Sequence, residues 1–204
     1  MTEPTALTPG ADVLADAVRR LVDATVRTTA TDLEAAARAV DAITDSLSTH
    51  LREGPWRPNP AHPEPSPYNT VMGQGNPFAA PVVMTSAGPE GVTGMVCFGT
   101  VYEGAPGLVH GGILSLVFDQ LLGEAAIAAK VPGMTVGLEI RYAAPTPLQT
   151  ELLLAAHVEE SGDRTVRLVG SIVADGVTTA TATGTFFRLT EAHARRIFPH
   201  LARE

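Results

Sequence analysis

The 204-residue chain contains a single cysteine, a single tryptophan and, at Lys130, a single lysine. One thiol excludes an internal disulfide framework and any zinc site built from several thiolates. Positive charge is scarce, with 14 basic residues against 22 acidic ones and a formal net charge of -8. A general nucleic-acid binder needs a cationic surface to displace phosphate counterions, so this balance argues against one. The lysine shortage, beside so much alanine, reads as a coding bias. No window approaches the roughly 20 uninterrupted apolar residues of a spanning helix. The opening residues, MTEPTALTPGADVLADAVRR, lack the basic start and apolar stretch of a secretory leader. The expectation is a cytoplasmic protein with no membrane and no nucleic-acid partner. Charged residues make up 18% of the chain and apolar ones 45%, which excludes disorder throughout and leaves material for a core.

Periodicity divides what is present. Leu14, Ala17, Val18, Leu21, Val22 and Thr25 form one helical stripe, and Leu33, Ala36, Ala37, Val40, Ile43, Leu47 and Leu51 form another. Thr31-Asp32-Leu33-Glu34 between them fits a capping box, so the region is two helices or one interrupted helix. Gly54-Pro55 ends it, and prolines from Pro55 to Pro67 mark an extended connector that Trp56 and Tyr68 flank. From about residue 81 the period becomes two, with strands expected at 81–87 and 91–101. A glycine-rich turn at 103–107 leads into VHGGILSLVFDQLLGEAAIAAK, apolar on nearly all sides, as a helix buried around most of its circumference would be. Strands follow at about 134–144, 150–160, 164–174 and 177–189, the last pair joined by the hairpin dipeptide Asp175-Gly176. A short helix closes the chain. The expected fold is α+β, an antiparallel sheet wrapped over one central helix. The expected divisions are a helical extension at 1–54, a connector at 55–76, the main domain at 77–190 and a tail at 191–204. Sheet edges left uncovered make dimerisation one ordinary outcome.

The chemistry concentrates in Val109-His110-Gly111-Gly112, with Asp119 nine residues after the histidine. Glycines at a helix start let a ligand approach the backbone, and first-turn N–H groups favour negative charge, as an oxyanion hole requires. Asp119 stands in an apolar run, where a carboxylate costs several kcal/mol unless it is paired or used. A tight turn and a hydrogen-bonded core aspartate would read the same way. Nine residues at ~100° each place Asp119 on the opposite side of the helix from His110, about 13 Å along the axis. One helix cannot bring both to a single carbonyl, so a shared site implies a second subunit. Elsewhere the signals are weak. His50, His62, His157, His193 and His200 lack metal-ligand spacing, and no metal site is expected. Cys97 reads as a small core hydrophobe, Gly73-Gln74-Gly75 lacks a phosphate loop's context, and no Gly-x-Ser-x-Gly elbow occurs.

The strand–helix–strand order and VHGGILSLVFDQLLG resemble the hotdog-fold acyl-CoA thioesterases of the PaaI-like type over about residues 77–189. The resemblance implies that the Gly111 N–H holds the thioester oxygen and that Asp119 is the catalytic carboxylate, supplied across a dimer. It implies that His110 orients the thioester and that Thr135 is a hydroxyl some relatives use to place water. Gly112 and Arg141 are the expected substrate contacts, and Arg164 and Arg167 are further candidates for CoA phosphates. Some relatives carry Asn or Gln shortly before the histidine; residues 100–109 contain neither. The expected reaction hydrolyses an acyl-CoA to a carboxylic acid and CoA with no cofactor, in a homodimer or dimer of dimers. Asp119 as general base and Asp119 as nucleophile both remain open. So do an enoyl-CoA hydratase and a non-catalytic acyl-CoA sensor.

Overall fold

A computed structural model describes residues 7–54, 66–80 and 82–188, in two compact units, Met1–Ala79 and Ala80–Glu204. The proline-rich stretch at 55–65 with Trp56, and the short helix expected near the C-terminus, lie outside the described residues.

The first unit holds α1 (Ala11–Arg27) and α2 (Glu34–Ser48). The expected capping box does not form. Asp32 instead accepts the Glu34 N–H at 3.1 Å, because a short carboxylate readily bonds the backbone two residues on. Arg19 on α1 donates to the Asn76 carbonyl at 2.6 Å. Tyr68 lies under the Arg52 guanidinium, 4.6 Å from its ring centre, and its hydroxyl is 3.2 Å from Thr8. Tyr68 and Arg19 therefore fasten the segment after the connector to the helical part of this unit.

The second unit is a six-stranded sheet with one helix against it. Its strands are β1 (Val83–Gly88), β2 (Gly91–Cys97), β3 (Gly133–Tyr142), β4 (Glu151–Ser161), β5 (Thr165–Ala174) and β6 (Val177–Arg188), with helix α3 (Gly111–Ala128) between β2 and β3. The spatial order is β1-β2-β4-β5-β6-β3, with every neighbouring pair antiparallel. This is the sheet-over-one-helix arrangement that the resemblance implies. Asp175 and Gly176 both take positive φ, 49° and 78°, the two-residue turn that matches strand twist. The strand expected at 91–101 stops at Cys97, where Phe98 turns fully into the core and Thr100–Tyr102 forms a short 3₁₀ turn. Cys97 itself is exposed and is not a core residue, since it pairs with Glu151 on the sheet face away from α3.

Helix α3 buries Leu114, Val117, Phe118, Leu121, Leu122, Ala125 and Ala126. Ala180, Ala182, Gly184 and Phe186 form the inward face of β6. Close approach depends on two glycines. A Cβ built on Gly184 would lie 2.7 Å from Leu122 Cδ1 and 3.0 Å from Phe186 Cε2. One built on Gly170 would lie 3.3 Å from Phe118 and 3.4 Å from Leu122. The helix is less enclosed than its composition suggests: Gly112, Asp119 and Ile127 are exposed along its outer side. Within this unit the sheet covers a single face of α3.

Strand β3 is an edge of the sheet and carries a bulge. Thr135 pairs with Phe186 and Gly137 with Thr185, so Val136 is an extra residue, and it is 64% exposed. The bulge reverses the inward–outward alternation along the strand. Thr135 and Leu138 consequently both face α3, although three residues apart.

Gly184→Ala should lower unfolding free energy by about 1–3 kcal/mol through overpacking against Leu122. Gly137→Ala, whose Cβ would meet nothing closer than 3.8 Å, should leave stability unchanged or slightly raised. Urea unfolding of the two variants beside the parent distinguishes close packing from a general strand preference.

Candidate active site

The loop from Gly99 to His110 sets the start of α3. The His110 N–H donates to Tyr102 O at 2.9 Å, Val109 N–H to Thr146 O at 2.9 Å and Gly104 N–H to Leu108 O at 2.9 Å. A Cβ on Gly104 would come within 2.8 Å of His110 Cα, so the glycine-rich turn exists partly to let His110 in. The loop, the first turn of α3 and the end of β3 enclose a cleft of about 560 Å³. His110, Gly111, Leu114 and Tyr142 form one side, with Glu103 and Thr146 among its other lining residues.

His110 is the N-cap of α3, and its Nδ1 accepts the Gly112 N–H at 2.9 Å. A ring nitrogen that accepts carries no proton, so the neutral imidazole holds its proton on Nε2. The Gly112 N–H is thereby taken up by the protein's own side chain. No described residue accepts the Gly111 N–H, which leaves it as the available donor of the pair. Sterically, the paired glycines do more than admit a ligand. A Cβ on Gly112 would meet His110 Nδ1 at 3.1 Å, and one on Gly111 would meet the Tyr142 hydroxyl at 3.2 Å. Each glycine has an aromatic ring of this chain lying against it.

Asp119 is not the enclosed carboxylate that the sequence pattern suggests. It is exposed, and its Oδ1 accepts the Thr135 hydroxyl at 2.8 Å. The bulge at Val136 turns Thr135 toward it. The structure thus brings Asp119 and Thr135 together, and His110 and Gly111 together, and keeps the two pairs apart on one helix. Arg141 joins neither. It pairs with Thr181, on the face of β3 opposite to Tyr142, away from the cleft. Among the described residues no group of three or more His, Cys, Asp or Glu side chains is placed to hold a metal ion.

Three residues that the sequence pattern does not single out also shape this region: Gly104, Ser115 and Tyr142. The Tyr142 hydroxyl donates to Gly111 O at 2.9 Å and lies 3.0 Å from Ser115 Oγ, which itself donates to Gly111 O at 3.0 Å. Ser115 follows Gly111 by one helical turn, a signal the sequence does contain. Tyr142 follows Thr135 by seven residues, and strict alternation would place them on opposite faces.

Comparison with known proteins points to one family. The thioesterase superfamily model matches residues 106–181, from the turn preceding His110 to β6. Human acyl-coenzyme A thioesterase 13 is 26% identical over 105 residues, covering 47% of this chain and 75% of that protein. A crystallised thioesterase superfamily protein is 32% identical, with a TM-score of 0.81 over 92% of this chain and 94% of its own. A hypothetical thioesterase of Streptococcus pneumoniae, solved with coenzyme A, shares the fold at a TM-score of 0.50 and 22% identity, over 52% of this chain and 87% of its own.

His110→Ala removes the cap of α3 and should cost about 0.5–2 kcal/mol of stability. Exchange of the Gly112 amide with solvent should quicken selectively; unchanged exchange there would contradict the cap.

Proposed function

This chain belongs to the thioesterase superfamily and is a thioester hydrolase of the hotdog fold, and we propose that its substrate is an acyl-coenzyme A, cleaved at a site shared between two copies. The observation that carries the shared site is the division of the polar groups. The oxyanion-type donor and His110 lie at the start of α3, and the carboxylate lies two and a half turns on, on the other side.

In this reading the thioester carbonyl enters the cleft and its oxygen receives the Gly111 N–H. That donor stands at the positive end of the α3 dipole, where charge develops on the oxygen during attack. His110 presents Nε2–H beside it. Asp119 of the second copy faces the carbonyl carbon, either drawing a proton from the water that attacks it or attacking directly to form an anhydride that water then cleaves; both routes use the same donors. Thr135 donates to Asp119 Oδ1 and so leaves Oδ2 to face the reaction. The thiolate of coenzyme A leaves and takes up a proton.

Two features support pairing. β3 is an edge strand whose outer side no strand among the described residues pairs, and long edges of this kind are ordinarily covered. Met134, Val136, Tyr142 and Ile127 are exposed on that strand and on α3, between 40% and 64%. A second copy related by a two-fold axis would cover β3 with β3 and bring each Asp119 toward the other chain's cleft.

Asp119→Asn preserves the contact with Thr135 and should lower kcat for thiol release from acyl-CoA about 10²–10⁴-fold, the span expected for a lost general base. A variant as active as the parent would sink the assignment. Co-expressing His110→Ala with Asp119→Asn tests the shared site. Half the dimers formed are mixed, each with one intact site, so about a quarter of parental activity should return in a two-fold assembly. A site built within one chain would recover nothing.

A further inference from the structure

We infer that Tyr142 is a positioning residue of this site, holding His110 and the first turn of α3 in their working geometry through the Gly111–Gly112 peptide group. The inference rests on the proposed reading that the start of α3 receives the thioester oxygen.

The connection is a continuous run of hydrogen bonds. The Tyr142 hydroxyl donates to Gly111 O at 2.9 Å, and that carbonyl shares one peptide unit with the Gly112 N–H. The Gly112 N–H donates in turn to His110 Nδ1 at 2.9 Å. Donation to the oxygen of an amide polarises its N–H, so each bond strengthens the next. The run ends on an imidazole whose remaining proton is on Nε2. Tyr142 therefore favours the tautomer that offers a donor, rather than an acceptor, beyond the ring. Ser115 Oγ, 3.0 Å from both Gly111 O and the Tyr142 hydroxyl, donates to the same carbonyl and reinforces the first link.

Packing supports a positioning role. The Tyr142 ring lies against the face of Gly111 where any other residue would carry Cβ, with the hydroxyl 3.2 Å and Cζ 3.3 Å from that point. The turn bearing the Gly111 N–H is held by ring contact on one side and hydroxyl donation at its carbonyl. Tyr142 is nevertheless 52% exposed and lines the cleft, which a residue serving only the core would not do.

Its place on β3 gives the arrangement a second meaning. Thr135, at the other end of the same strand, donates to Asp119. One edge strand thus positions both polar pairs, one at each end, and it does so only because Val136 is a bulge. Were Val136 paired in regular register instead of bulged, Thr135 and Tyr142 would face opposite sides of the sheet.

Tyr142→Phe keeps the ring and removes the hydroxyl. The expected result in an acyl-CoA thiol-release assay is a fall in kcat of about 5–20-fold with KM within about two-fold, since geometry of the reacting groups rather than affinity is lost. Nitrogen-15 spectra of the His110 ring should show Nε2–H alone in the parent and a mixture of tautomers in Tyr142→Phe. Ser115→Ala should move both readouts in the same direction by less, and it serves if Tyr142→Phe folds poorly. Parental kcat together with an unchanged His110 spectrum overturns the inference. A rise in KM at constant kcat also overturns it, by making Tyr142 a substrate contact. The ring spectra need no substrate, so they decide the tautomer link even if the parent hydrolyses no acyl-CoA and the proposed reaction falls.

Discussion

The seating of α3 on the sheet is the constraint from which the rest of the second unit follows. The helix is held there by apolar contact, each fully buried leucine contributing about 1.5–3 kcal/mol, so its height above the strands is set by what those strands leave vacant. Gly170 and Gly184 leave room for Leu122 and Phe118. Once the axis is fixed, so are the two directions in which its polar residues point. His110 and Gly111 open on the cleft beneath the 103–107 turn, and Asp119 opens on the uncovered side beside Thr135.

A second constraint works along β3. An edge strand is the least restrained part of a sheet, yet both polar pairs lean on this one. Thr135 holds the carboxylate and Tyr142 holds the start of the helix. The bulge at Val136 reconciles the two demands, because a side chain can be redirected to the other face only by adding or removing a residue. The strand that would meet a second copy is also the strand that shapes each chain's part of the site. Assembly and catalysis in the proposed dimer are therefore mechanically linked through the same ten residues.

Much of this is legible in the residues alone. Alternation of threonine with alanine and glycine marks β6 and its inward face, and Asp175-Gly176 marks the hairpin. The His-Gly-Gly run marks a helix start fit for an anion, and the nine-residue interval to Asp119 shows that the two cannot meet on one carbonyl. Each of these is a local rule: a period, a turn preference or a rotation per residue. Where the pattern misleads, the cause is physical as well. Apolar neighbours along the chain suggest an enclosed Asp119, but the sheet covers only one side of the helix and Asp119 lies on the other. A strand position suggests a core role for Cys97, and the strand's own alternation puts it on the outer face. Arg141, expected as a substrate contact, stands on the face of β3 opposite to Tyr142, away from this chain's cleft.

Element order, the central helix and the position of its N-terminus follow from the chain's local pattern, since they depend on neighbours within a turn or a strand. Which residues meet is a matter of packing in three dimensions. His110 claims the Gly112 N–H, one extra residue turns Thr135 to Asp119, and Tyr142 comes to lie over Gly111 from a strand position 31 residues away. Contacts of that kind arise where a bulge resets a register or a glycine lets two backbones close, and neither event leaves a periodic trace in the chain.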